Sequence, residues 1–181
     1  GCSTIIPPIK INYDVVYVES KDSRYYDLPY QLYALSEPID LTEVSPHLFA
    51  GYTIREHAWC EQPNKLLWAV RDDGVLLSMT YYKTQQISGW ARHDTQGEFV
   101  SACSVVEPPV DALYLATLRT PGGGGAVYTI ERMDDRIWPD VESTWCVDAG
   151  LALAQPTPNA TLTISSAHGL GAIRGVTGLV G

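Results

Sequence analysis

His93 and Asp94 place an imidazole beside a carboxylate in a chain with many serines, and hydrolytic chemistry needs a nucleophile, a base and a carboxylate brought together in space. The pair falls at a turn between two strand-like stretches, where Asp starts the turn and His caps a strand, and no G-x-S-x-G elbow supplies a strained nucleophile. His47, His57, His93 and His168 lack the i, i+4 or paired spacing of a local metal site, and no dense Asp/Asn loop suggests calcium. Cys2, Cys60, Cys103 and Cys146 contain no C-x-x-C pair, so they read as isolated thiols that cytoplasmic assembly keeps reduced. Gly122, Gly123, Gly124 and Gly125 resemble a phosphate cradle only superficially, since no Lys-Ser/Thr follows and no helix opens there; they read as a hairpin tip.

Glu131, Arg132, Asp134, Asp135 and Arg136 form a charge cluster that reads as a solvated, salt-bridged rim, because a catalytic acid pair would have to flank a substrate. Asn159-Ala160-Thr161 matches a glycosylation sequon, which has no meaning in a bacterial cytoplasm. Trp68, Trp90 and Trp145 could stack on the apolar faces of sugar rings, but each lies within a β segment, and core packing is the simpler expectation. No catalytic, cofactor-binding or metal-ligating residue is assigned, and no cofactor is implied.

Those residues must be positioned by a chain of 181 residues, long enough for one domain or for a compact module and part of a second. Apolar residues at 45% and charged residues at 18% predict a folded chain without disorder. Eleven Tyr and five Trp against two Phe suit sheets with one wet face, where a ring packs and its polar tip reaches water. A net charge of −9 argues against sequence-reading nucleic-acid binders, which need clustered Lys and Arg, while leaving an acidic channel through which DNA slides as an option. No apolar run is long enough for a membrane span.

Along the chain, residues 9–19 read as a strand and residues 20–24 as a turn; residues 25–35, punctuated by Pro29, read as an edge strand or extended loop. Asp40-Leu-Thr-Glu43 predicts a short helix, interrupted by Pro46 and stopped near Gly51. From Leu66 the pattern is β. Residues 67–71 and 75–82 flank Asp72-Asp73-Gly74, residues 87–92 and 98–106 flank residues 94–97, and residues 112–119 and 126–133 flank the glycine run. These predict three successive hairpins and an antiparallel meander, and they exclude a parallel sheet. Trp59-Cys60 and Trp145-Cys146 echo each other at about two propeller-blade periods, which tilts the reading towards a propeller-like arrangement over a sandwich. Residues 1–150 form the core module; residues 151–181, Pro- and Thr-rich and then Gly-rich, read as a linker and the start of a second, incomplete β module with a short strand at 161–165.

Five segments in consistent order carry a family likeness: Asp40-Leu-Thr with His47-Leu-Phe, Leu67-Trp-Ala-Val-Arg-Asp-Asp-Gly-Val-Leu-Leu, Thr80-Tyr-Tyr with Gln86, Gly89-Trp-Ala-Arg-His-Asp-Thr-Gln-Gly, and Tyr128-Thr-Ile-Glu-Arg-Met. On them, residues 33–149 resemble the nozzle, or tail tubular B, proteins of short-tailed bacteriophages and related prophage tail proteins. Cys146 and the glycine-rich tip depart from the family pattern. The resemblance implies a piece of a longer protein and a ring, commonly of six copies, below the adaptor and portal, forming a channel for DNA ejection. It implies a virion tail assembled in the bacterial cytoplasm, with adaptor and fibre or spike proteins as partners, and it brings no catalytic motif.

The sequence reading is therefore an all-β fold with one short helix near 40–50, acting as a structural tail component and not as an enzyme. The alternative is a carbohydrate-binding module of a receptor-binding tail protein, in which one or more Trp residues is exposed.

Overall fold

The protein is all-β, in a computed structural model that describes residues 2–3, 5–21, 23–30, 37–120, 124–134, 147–152 and 172–174, with 151–152 and 172–174 as backbone only. Three antiparallel sheets follow one another along the chain. The first contains β1 (Ile9–Ile11), β2 (Asp14–Val18), β3 (Tyr25–Leu28) and β4 (Ile39–Asp40). The second is the meander β5 (Ile54–Cys60), β6 (Leu66–Arg71), β7 (Leu76–Tyr82) and β8 (Ile87–His93). The third contains β9 (Glu98–Glu107), β10 (Val110–Arg119) and β11 (Val127–Arg132), with β10 in the middle.

The second sheet lies between the other two, and the period of two in its strands sorts side chains into two cores. Leu67, Ala69, Leu77, Met79 and Tyr81 point one way and pack with Ile11, Val16, Val18 and Tyr25 of the first sheet. Trp68, Val70, Leu76, Ala58 and Cys60 point the other way and pack with Phe99, Ala102, Leu113 and Leu115 of the third. This explains the unbroken apolar run Leu66-Leu-Trp-Ala-Val: a strand covered on both faces has no wet side to alternate with. The stacked sheets make the fold a sandwich. Of the propeller echo, Cys60 lies in the second core, whereas Trp145 and Cys146 fall outside the described residues.

The predicted β6–β7 and β10–β11 hairpins are present. Gly74 at φ +78° closes the first, and its carbonyl accepts the Phe99 N–H at 2.9 Å, so the turn also anchors the start of β9. A Cβ at Gly74 would stand 2.6 Å from Glu98 Cβ, so only glycine fits this close approach. The middle predicted hairpin is not formed: β8 pairs with β7 and β9 with β10, so residues 94–97 carry the chain from one layer to the next. A turn motif is local and reports a reversal, not which sheet the chain re-enters. The second partner of β10 is β9, through a turn at Pro108-Pro109.

Residues 9–19 are likewise two strands, because Asn12 adopts φ +57° and reverses the chain, a conformation Asn tolerates. Strand β5, with Arg, Glu, His and Ala in its middle, carries no clear period and a register shift between Ile54 and Glu56. The helix expected from Asp40 is a 3-10 turn at Pro46–Leu48. Asp40 instead ends β4, and its carboxylate accepts the Thr42 N–H at 2.7 Å and the Thr42 hydroxyl at 2.6 Å; the acceptor that would cap a helix closes a local turn.

One parallel pairing does occur, between β12 (Gly150–Ala152) and β13 (Ala172–Arg174), contrary to the expectation that parallel strands are excluded. Its partners are too far apart in sequence for any turn signal to announce them. The expected strand at 161–165 lies outside the described residues.

Candidate functional site

Several of the residues singled out for chemistry have a definite place in these layers, whereas His168, Cys146 and Asn159-Ala160-Thr161 lie outside the described residues. His93 ends β8 and faces the second core, its Nε2 2.7 Å from Ser78 Oγ and its ring 5.2 Å from that of Trp68. A Ser–His hydrogen bond is the starting geometry of nucleophilic catalysis. Here, however, Ser78 is only 5% exposed and sits between two sheets, where the pair ties β7 to β8. Asp94 points to solvent and pairs with Arg92 at 2.9 Å. Cys2, Cys60 and Cys103 are free thiols; burial pushes the Cys60 thiol up. Among the described residues no three His, Cys, Asp or Glu side chains converge on one point, and no helix is long and apolar enough to cross a membrane.

His57 is packed against the first core, with its Nε2 2.7 Å from the Pro7 carbonyl and Nδ1 3.3 Å from the Tyr25 hydroxyl. A carbonyl only accepts, so Nε2 carries the proton and a neutral ring accepts from Tyr25 through Nδ1. Burial pushes the imidazole below its ordinary value, against smaller opposing effects of the Pro7 carbonyl and the Glu56 charge. The unfolded chain therefore takes up this proton first as pH falls. The contribution of neutral His57 is complete above the ordinary value of 6.5 and is lost as pH falls through the lowered one. Urea titrations at pH 7.5 and 5.5 should show stability decreasing across this interval, and His57→Gln should flatten the decrease; an equal slope in the variant would assign the effect to other groups.

Of the tryptophans named as sugar platforms, Trp68 and Trp90 are turned inward. Trp68 is 3% exposed, and Trp59 and Trp90 pack against the first core. Trp145 lies outside the described residues. The large apolar side chains left in water are elsewhere, and several gather on the third sheet. Its inner face is the second core, so alternation turns Tyr114, Ala116 and Leu118 of β10 outward. Opposite them on β11 stand Arg132, Ile130 and Tyr128. Ile130 is 83% exposed and Tyr128 70%. Val105 adds a further exposed side chain on β9, and Cys103 lies opposite Tyr114.

One charged cluster borders this face, and a second lies on the row that points the other way. Glu107 accepts from the Tyr114 hydroxyl at 2.6 Å and from Arg132 Nε at 3.0 Å. Arg119 Nη2 donates to Glu131 at 2.7 Å and Nη1 to Asp148 at 2.9 Å; the guanidinium holds the Glu131 carboxyl below its usual range. The predicted rim is thus real in its salt bridges, but Glu131 and Arg132 pair across strands and not with each other. Asp135 and Arg136 lie outside the described residues, as do Gly122 and Gly123, whereas Gly125 stands in open space. Among the described residues β11 has no strand on its far side, so its outward N–H and C=O groups form an open edge.

Compared with known proteins, the chain matches no family model and no curated protein. The chemistry available on the third sheet is association: an apolar patch, bordered at one end by fixed charges, beside a strand edge that is open among the described residues.

Proposed function

We propose that the chain is a structural component of a short-tailed bacteriophage or prophage tail, part of a nozzle-type ring that lines the DNA ejection channel and docks other tail proteins. The observation that carries its assembly role is the outward face of β10 and β11, where Ile130 and Tyr128 stand in water beside an open strand edge. A sheet that leaves an isoleucine at 83% exposure gains by covering it with another protein surface. Two further features support the reading. Four of the five segments that carry the family likeness fall largely on the β6–β7 hairpin, β8 and β11, and the first lies at the end of β4 and on the 3-10 turn, so most belong to the scaffold of the layers or to the proposed docking strand. The charge of −9 suits a channel that repels DNA and lets it slide.

The test is the solution mass of the protein by light scattering, alone and after mixing with the upstream tail adaptor. A ring-sized oligomer, formed alone or recruited by the adaptor, is expected; a persistent monomer indifferent to the adaptor would overturn the reading. Ile130→Asp should weaken the association by about 10- to 100-fold, since covering such a side chain is worth roughly 1.5–3 kcal/mol. The same variant should leave the thermal unfolding of the chain nearly unchanged, because Ile130 contributes to neither core.

A further inference from the structure

Beside the strands of the first sheet, two tyrosines are exposed side by side. Tyr13, in the β1–β2 turn, is 80% exposed and Tyr30, just after β3, is 60% exposed; their ring centroids are 6.4 Å apart, inclined at 38°. The residues on either side of Tyr13, Asn12 and Asp14, line a small cleft of about 50 Å³ together with Lys65, Tyr81 and Lys83. The Tyr30 N–H donates to Asp14 at 2.8 Å, so the backbone of both tyrosines is tied to residues that line the cleft.

The polar groups of the cleft are held in place before any ligand arrives. Lys83 Nζ donates to Asp14 at 2.6 Å and to the buried Asp27 at 2.7 Å, and the Tyr81 hydroxyl donates to the same Asp27 oxygen at 2.7 Å. Lys65 adds a second ammonium to the lining, and with Asp14 and the buried Asp27 that Lys83 bonds the four charges sum to zero, which leaves no net charge to select an ion. A space of about 50 Å³ holds on the order of three or four waters, each needing roughly 10–15 Å³; it admits a hydroxymethyl arm and not a sugar ring. Exposed aromatic faces beside preorganised hydroxyl partners, without net charge, match one ligand chemistry.

We propose that this cleft binds a neutral saccharide, one pyranose ring stacking on Tyr13 and Tyr30 while its hydroxyls bond to Asp14 and Asn12. The site is separate from the face of β10 and β11, and it stands whether or not the chain assembles into a ring.

The test is saturation-transfer NMR on the full chain with three neutral probes, maltotriose, chitotriose and a galactose trisaccharide, each to about 10 mM, a concentration that still detects Kd values near 1 mM, or roughly −4 kcal/mol. A trimer of glucuronic acid serves as the charged comparison. At least one neutral probe is expected to bind, Tyr13→Ala and Tyr30→Ala each weakening it tenfold or more. Tyr13→Phe should retain binding within threefold, because stacking uses the ring and not its hydroxyl, and Tyr128→Ala and Ile130→Asp should change nothing. Absence of binding by all three neutral probes, binding of the charged trimer alone, or neutral binding indifferent to both tyrosine truncations would each overturn the proposal. Folding of the variants is secured by the exposure of both rings and checked by unchanged circular dichroism.

Discussion

Replacing Trp90 with alanine should destabilise the protein by about 3–4 kcal/mol, at the lower end of the range for truncating a large buried ring because this one is only partly buried. Trp90 lies on β8, whose other residues are mostly exposed, and it is the one side chain by which that strand reaches the first core. Its ring packs at 5.2 Å from Tyr25 of the first sheet and edge-on at 4.8 Å from Phe49, which follows the 3-10 turn. Its Nε1–H donates to the Leu41 carbonyl at 2.8 Å, just beyond β4. One indole thus joins three segments distant in sequence, and its loss leaves both a cavity and an unpaired carbonyl. Urea unfolding followed by far-UV circular dichroism measures the effect. Trp90→Phe should recover more than half of it by refilling the space without the donor. A loss below about 1 kcal/mol for the alanine variant would mean that the first core closes without this ring.

Arg71→Met should cost a similar amount, about 3–4 kcal/mol, for a different reason. Arg71 is 3% exposed, and a buried guanidinium must have its donors occupied. It donates through Nη1 to the Leu48 carbonyl at 2.7 Å and through Nε and Nη2 to Asp73, with its central carbon 3.5 Å from the Tyr52 ring centroid. These contacts bind the end of β6, the Asp72-Asp73-Gly74 turn and the 3-10 turn into one unit. Methionine fills the space but leaves the Leu48 carbonyl and the Asp73 carboxylate without their donor. Arg71→Lys should recover less than half of the loss, because a point charge cannot donate as a fork to Asp73 while also reaching Leu48. A double variant with Asp73→Asn should lose less than the sum of the two single losses; additive losses would mean that the ion pair is not the source of the effect.

Several parts of this architecture are legible in the residues alone. The Asp72-Asp73-Gly74 turn is one, since a left-handed position in a two-strand reversal is a demand that only a few residue types meet. The glycine-flanked β10–β11 hairpin is another. Strand β5 is not legible, because its apolar side chains are spread over both faces of a doubly covered sheet and a register shift breaks their alternation. Asp40 misleads because a carboxylate followed by Thr42 satisfies an N-cap and a local turn equally well, and the contacts of β4 with β3 choose between them. The proposed association face is half visible: the strand Tyr128-Thr-Ile-Glu-Arg reads as β, but nothing in its alternation says that the Tyr and Ile row, and not the Thr and Glu row, is left uncovered.

The sequence by itself determined the all-β class, the positions of most strands and the reversals at glycine-bearing turns. These follow from backbone preferences and a period of two, both properties of neighbouring residues. The tertiary structure alone decided that residues 94–97 change layers, that β12 pairs in parallel with β13, that tryptophans turn inward, and that Tyr13, Tyr30, Tyr128 and Ile130 remain in water. The physical reason is the same in each case: the face a side chain shows is set by which sheet covers it, and that sheet is built from residues far away along the chain.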